Sequence, residues 1–159
     1  MSNFLRTVEF LALSLWLGAD VFLSFVVAPG AFRVLASRDQ AGAIVGHSLW
    51  WMHMIGVVAG IVLLVARLVR TRSVAGMAGP VVLCVLLMIG LTVVSQHAVS
   101  PRMAELRGRM GSIEATAERN PLLAEFGKLH RVSVMLESGV LLFGVAGMWF
   151  MVKELGSVS

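Results

Sequence analysis

The sequence predicts an all-α protein: an integral membrane four-helix bundle with an amphipathic interfacial helix between the third and fourth spans. Two observations carry this expectation. Of the 159 residues 58% are hydrophobic and 14% charged, too little polar surface to cover a water-soluble globule of this size. The apolar residues are also gathered into runs that carry few charges and reach or exceed the roughly 20 helical residues needed to cross about 30 Å of hydrocarbon.

Those runs fall at about 4–28, 48–69, 74–99 and 128–152, in a single membrane domain over 1–159. Hydrocarbon offers nothing to satisfy a bare backbone, so each run is expected to be a helix, and four spans put both termini on one face. The first run is longer than a signal-peptide core, and Pro29 follows its only small-residue cleavage point, so cleavage is not expected. Asp39 is placed to cap the second helix, and Arg70 to Ser73 leave room for a tight hairpin before the third.

Between spans three and four, Ser100-Pro101 and Asn120-Pro121 each read as a cap followed by proline at the first helical position. Met103, Leu106, Met110, Ile113 and Ala117 recur at three-and-four spacing with charges on other faces. An amphipathic helix over about 101–119, lying on the membrane surface or across the bundle mouth, is the expectation.

The net charge of +4 comes from basic residues at the edges of the apolar runs, where they anchor helices, so no nucleic-acid partner is expected. Arg33, Arg38, Arg102, Arg107, Arg109, Arg119, Lys128 and Arg131 outnumber the basic residues of the terminal face and point to the non-terminal face as cytoplasmic. The Arg70–Arg72 hairpin points the other way. The expected partners are membrane lipid and a second copy, through the small-residue pair Gly56 and Gly60 or through packing within the bundle. The expected location is the bacterial inner (plasma) membrane, as a multi-pass protein. The single cysteine, Cys84, lies inside a run and is expected to be a small core residue.

Ionisable residues inside a span cost on the order of 2.5–3.5 kcal/mol each on insertion scales and need a reason. Asp20 lies nine residues before Pro29 and Glu137 nine after Lys128, so both sit about 13–14 Å from the same face, near the midplane. Glu9, Trp16, Asp20 and Ser24 form a stripe on the first span; His130, Ser133 and Glu137 form one on the fourth. Facing each other, these stripes make an intramembrane polar site of Asp20, Glu137, Ser24 and Ser133 that holds a proton or a cation, or a structural interhelical hydrogen bond.

All four histidines, His47, His53, His97 and His130, fall at the face where span one ends. Imidazoles at one depth suit copper, zinc or iron, and His53, His97 and His130 are candidate metal or haem ligands; half-wet interfacial rings, with no cofactor at all, are the alternative. No phosphate loop, nucleophile elbow, CxxC pair or HExxH is present, so an enzyme is not the expected class. The functions carried forward are binding or moving a metal ion or proton, handling haem, or serving as a non-catalytic assembly subunit.

Three segments carry a family resemblance: Gly18 to Pro29 with Phe32, Val99 to Arg107 around Pro101 and Arg102, and Phe126 to Ser133 around His130. Together they resemble the transmembrane protein 205-like family, small polytopic membrane proteins with a domain of unknown function (4149). The resemblance implies a four-span bundle with an amphipathic segment before the last helix, and Gly18, Pro29, Pro101, Arg102, His130 and Ser133 as motif positions. Where that family pattern often has asparagine seven residues after the histidine, this chain has Glu137, and Asp20 stands where the pattern is usually uncharged.

Overall fold

In a computed structural model of the chain, residues 2–73 and 75–156 are described. Four long helices, each apolar enough to cross a membrane, form an antiparallel bundle: α1 (Asn3–Val34), α2 (Arg38–Thr71), α3 (Pro80–Met110) and α4 (Pro121–Gly156). Among the described residues all regular structure is helical. Each helix is longer than its hydrophobic run, because the polar ends continue the same ladder beyond the hydrocarbon.

Two helices pass through a proline without breaking. In α1 the ladder widens into a π turn over Leu23–Val27, where the Ala28 amide reaches back five residues to the Leu23 carbonyl. In α3 the same happens over Ser95–Val99, with the Ser100 amide on the Ser95 carbonyl. Pro29 and Pro101 each follow their π turn by two residues. Proline supplies no amide and crowds the carbonyl four residues earlier; the wider turn gives that carbonyl room.

The expected amphipathic helix over 101–119 is therefore corrected. Residues 100–110 continue α3, and the helix stops where Gly111 takes φ +72, a conformation that favours glycine. Residues 111–120 are turns. Asn120 does cap α4 as expected, its Oδ1 accepting the Leu122 amide at 2.9 Å.

Two other boundaries differ. The α2 N-cap is Ser37, whose hydroxyl accepts the Asp39 amide at 3.1 Å, while the Asp39 carboxylate reaches the loop before α4. The third helix begins at Pro80, after extended Gly79 and a short 3-10 turn over Ala75–Met77; Val74, its expected start, lies outside the described residues. The hairpin closes at Arg72, which adopts φ 51 and returns its amide to the Leu68 carbonyl at 2.9 Å.

The packed core occupies the half of the bundle nearer the termini: Leu13, Trp16, Leu63, Val81, Val85, Met88 and Val140 are essentially inaccessible. Gly56 and Gly60 serve packing within the bundle. A Cβ on Gly56 would stand 2.3 Å from Trp16 Nε1, and one on Gly60 would stand 2.7 Å from Trp16 Cζ3, so the indole lies directly on the backbone of α2. Large apolar side chains such as Leu11, Met135 and Leu142 point outward.

Candidate functional site

At mid-depth every helix contributes a polar side chain to one buried layer. From α2, His53 is wholly buried and bonded on both ring nitrogens: Nε2 to Glu137 Oε1 of α4 at 2.7 Å, Nδ1 to Gln96 Oε1 of α3 at 2.9 Å. With an oxygen set at each ring nitrogen, the setting accommodates an imidazolium, which donates from both nitrogens, beside a carboxylate. Ser95 of α3 donates to the same Glu137 oxygen at 3.3 Å.

From α1, Asp20 is 1% exposed and accepts the Ser24 hydroxyl, one turn away, at 3.3 Å. It lies within electrostatic reach of both Glu137 and His53. Ser133 is buried one turn from Glu137 on α4.

The layer is not saturated. Asp20 Oδ2, Glu137 Oε2, Thr92 Oγ1 and Trp16 Nε1 are buried without a hydrogen-bond partner. Trp16 and Ser24 flank Asp20 by one turn each, and Thr92 is one turn from Ser95 and Gln96, so these atoms border the same layer. Buried polar atoms without a partner among the protein groups call for an explanation, and a proton, water or small ligand would supply one.

The spacing therefore brings together Asp20, Ser24, Ser133 and Glu137 as one midplane region, with His53 as the link between helices. It does not bring together the proposed metal or haem ligands. His97 and His130 are exposed, as is His47, while His53 alone faces inward. His97 lies on the outer side of its helix with Val93 and Val94, four and three residues before it, opposite the buried row of Met88, Thr92, Ser95 and Val99. Among the described residues no group of three or more His, Cys, Asp or Glu side chains has the arrangement of a metal site.

The motif positions have varied settings. Gly18, Pro29, Pro101 and Arg102 are exposed, and Arg102 pairs with Glu105 at 2.8 Å and Glu125 at 3.0 Å across the α3–α4 ends. Thr92, Ser95 and Gln96 were not singled out from sequence. Their only signal is a run of polar residues at the end of an otherwise apolar span.

A second polar layer, also not anticipated, closes the terminal face. Glu9 of α1 is 1% exposed and accepts Arg70 Nε at 2.6 Å and Arg67 Nη1 at 3.3 Å; Arg67 also pairs with Glu154 of α4. Read as sequence, Arg67 and Arg70 look like interfacial anchors. The available signal is Glu9 inside a span at the depth where two arginines stand three residues apart on the next helix.

A family model described as Domain of unknown function (DUF4149) matches residues 11–112 of this chain. The match covers α1, α2 and α3, and thus Asp20, His53 and Gln96 but not Glu137. No curated protein and no solved structure matches the chain.

Proposed function

The chain belongs to the DUF4149 family, whose domain has no assigned function, and from that premise we propose that this multi-pass membrane protein binds an exchangeable proton at the midplane, on His53, Glu137 and Asp20. The observation that carries the reading is the 2.7 Å contact of His53 Nε2 with Glu137 Oε1, beside a fully buried Asp20 with an unpartnered oxygen.

The charge balance favours a proton. His53 protonated against ionised Glu137 is a neutral pair, and one further proton on Asp20 makes the whole layer neutral. Releasing that proton leaves one uncompensated charge in low dielectric, so the third proton-binding group is the one whose exchange is felt by the other two. Gln96 and Ser95 orient the His53–Glu137 pair; Ser24 orients Asp20.

Within the family, the Gly18–Pro29, Val99–Arg107 and Phe126–Ser133 segments support a narrower likeness to transmembrane protein 205-like proteins. The proposed setting is the bacterial inner membrane, with lipid against the outward apolar side chains. Copper, zinc and haem have no part in this reading, since His97 and His130 are exposed while His53 is buried against Glu137 and Gln96.

Infrared spectroscopy of the protein in lipid tests the reading. A protonated-carboxyl stretch that responds to bulk pH is expected in the unaltered chain and is lost in Asp20→Asn. Identical carboxyl spectra for the two proteins at every pH would refute it.

A further inference from the structure

The bundle is a tandem repeat of one helical hairpin. Pro29 and Pro101, each two residues after a π turn, differ by 72 positions, as do Asp20 and Thr92, Ser24 and Gln96, Trp16 and Met88, and Leu17 and Ile89. On the return helices His53 and Glu137 differ by 84, as do Gly60 and Gly144.

Contacts repeat with the positions. A Cβ on Gly60 would meet Trp16 of its own hairpin and Ile89 of the other; a Cβ on Gly144 would meet Met88 of its own hairpin and Leu17 of the other. Those are the same contacts exchanged between halves. Because α1 and α3 run parallel, the relating two-fold axis lies along the membrane normal, and the His53–Glu137 pair joins equivalent positions across it.

Three polar ties at three depths connect the halves. At the terminal face Arg67 of the first hairpin pairs with Glu154 of the second. At the midplane His53 meets Glu137 and Gln96. At the opposite face the Asp39 carboxylate accepts the Ile113 amide at 2.8 Å and the Ser112 hydroxyl, and Arg107 donates to the Gly42 carbonyl at 3.3 Å. The outer ties lie on either side of the midplane layer, in which Asp20 and His53 are 1% and 0% exposed. Toward the termini the barrier is thick, with Leu13, Leu63, Val85 and Val140 between the site and Glu9.

We infer that this is the occluded state of a proton carrier: the two hairpins rock against each other about an axis in the membrane plane, opening the midplane site to one face at a time, with Arg67–Glu154 and Asp39–Ile113 as the two gates. Parallel repeats with a midplane site at their interface provide the general logic, since two rigid halves can rock against each other around a site held between them. The proton enters from one face onto the Asp20–His53–Glu137 layer and leaves to the other, driven by its own gradient; no bond other than the proton's is made or broken. The inference rests on the proton-site reading above.

The test is sidedness of access. A Thr92→Cys probe in a Cys84→Ala background, reconstituted in vesicles, is reacted with a membrane-impermeant methanethiosulfonate from either face. Removing one charge-assisted tie shifts a two-state balance by about tenfold. Arg67→Gln is expected to speed labelling from the terminal face by that factor and Asp39→Ala to speed it from the other. Glu154→Gln opens the same terminal gate while leaving Arg67 on Glu9, and serves if Arg67→Gln does not fold.

Vesicles holding the unaltered chain are expected to take up protons faster than protein-free ones under an imposed gradient. Labelling that rises from the same face in both variants, or from neither, overturns the inference, and so does proton uptake at the protein-free rate. A pH-responsive Asp20 carboxyl band in the same samples separates failure of the gates from failure of the site.

Discussion

The two buried polar layers use the same kinds of side chain to opposite ends. At the terminal face Glu9 is held by two guanidinium groups and Arg67 reaches a second carboxylate, so each charge there faces an opposite one, although Arg67 Nε is buried without a partner. At the midplane Glu137 alone contacts the His53 imidazole, Asp20 has only the Ser24 hydroxyl, and Asp20 Oδ2 and Glu137 Oε2 are left without partners. A matched layer fixes helices in place. An under-matched layer is poised to change its protonation. The difference separates a structural from a functional use of buried charge more clearly than burial does, since Glu9 and Asp20 are equally hidden.

The largest effect that can break this comparison is expected at Glu9. Glu9→Gln leaves Arg67 and Arg70 without their buried carboxylate and should cost about 3–5 kcal/mol of stability, read as denaturant unfolding in detergent. A loss below about 1 kcal/mol would mean that water already screens that layer. At Glu137 the expected cost is smaller. Glu137→Gln removes a charge-assisted bond but also a buried charge, so stability should fall by about 1.5 kcal/mol or less, while the pH response of the Asp20 carboxyl band changes.

Asp20→Asn sharpens the contrast most finely. The amide keeps the Ser24 contact and carries no charge to desolvate, so stability should hold or rise. If thermal unfolding instead showed Asp20→Asn to be as damaging as Glu9→Gln, the midplane layer would be another structural clamp.

Much of this was legible in the sequence. The four spans follow from run length, and the midplane depth of Asp20 and Glu137 follows from their distances to Pro29 and Lys128. The stripe of Trp16, Asp20 and Ser24 follows from helical spacing. What periodicity could not carry was the π turns themselves. The ladder gains a residue before Pro29 and again before Pro101, which a count of 3.6 residues per turn does not register.

The separate interfacial helix failed for a related reason. Ser100-Pro101 resembles a helix start, but the turn that relieves proline also lets α3 run through it. Partner choice was equally closed: nothing in a spacing says that His53 bonds Glu137 instead of His130. Nor does composition separate Arg67 buried against Glu9 from an arginine in lipid headgroups, because both read as a basic residue at the end of an apolar run.

The His53–Glu137 contact joins positions that the internal two-fold makes equivalent. In a symmetric dimer of single hairpins those positions would carry the same residue, and the axis would set imidazole against imidazole or carboxylate against carboxylate. One continuous chain is released from that identity. Acid can face base at the centre of an otherwise symmetric bundle, and the two halves can differ in chemistry while keeping one shape.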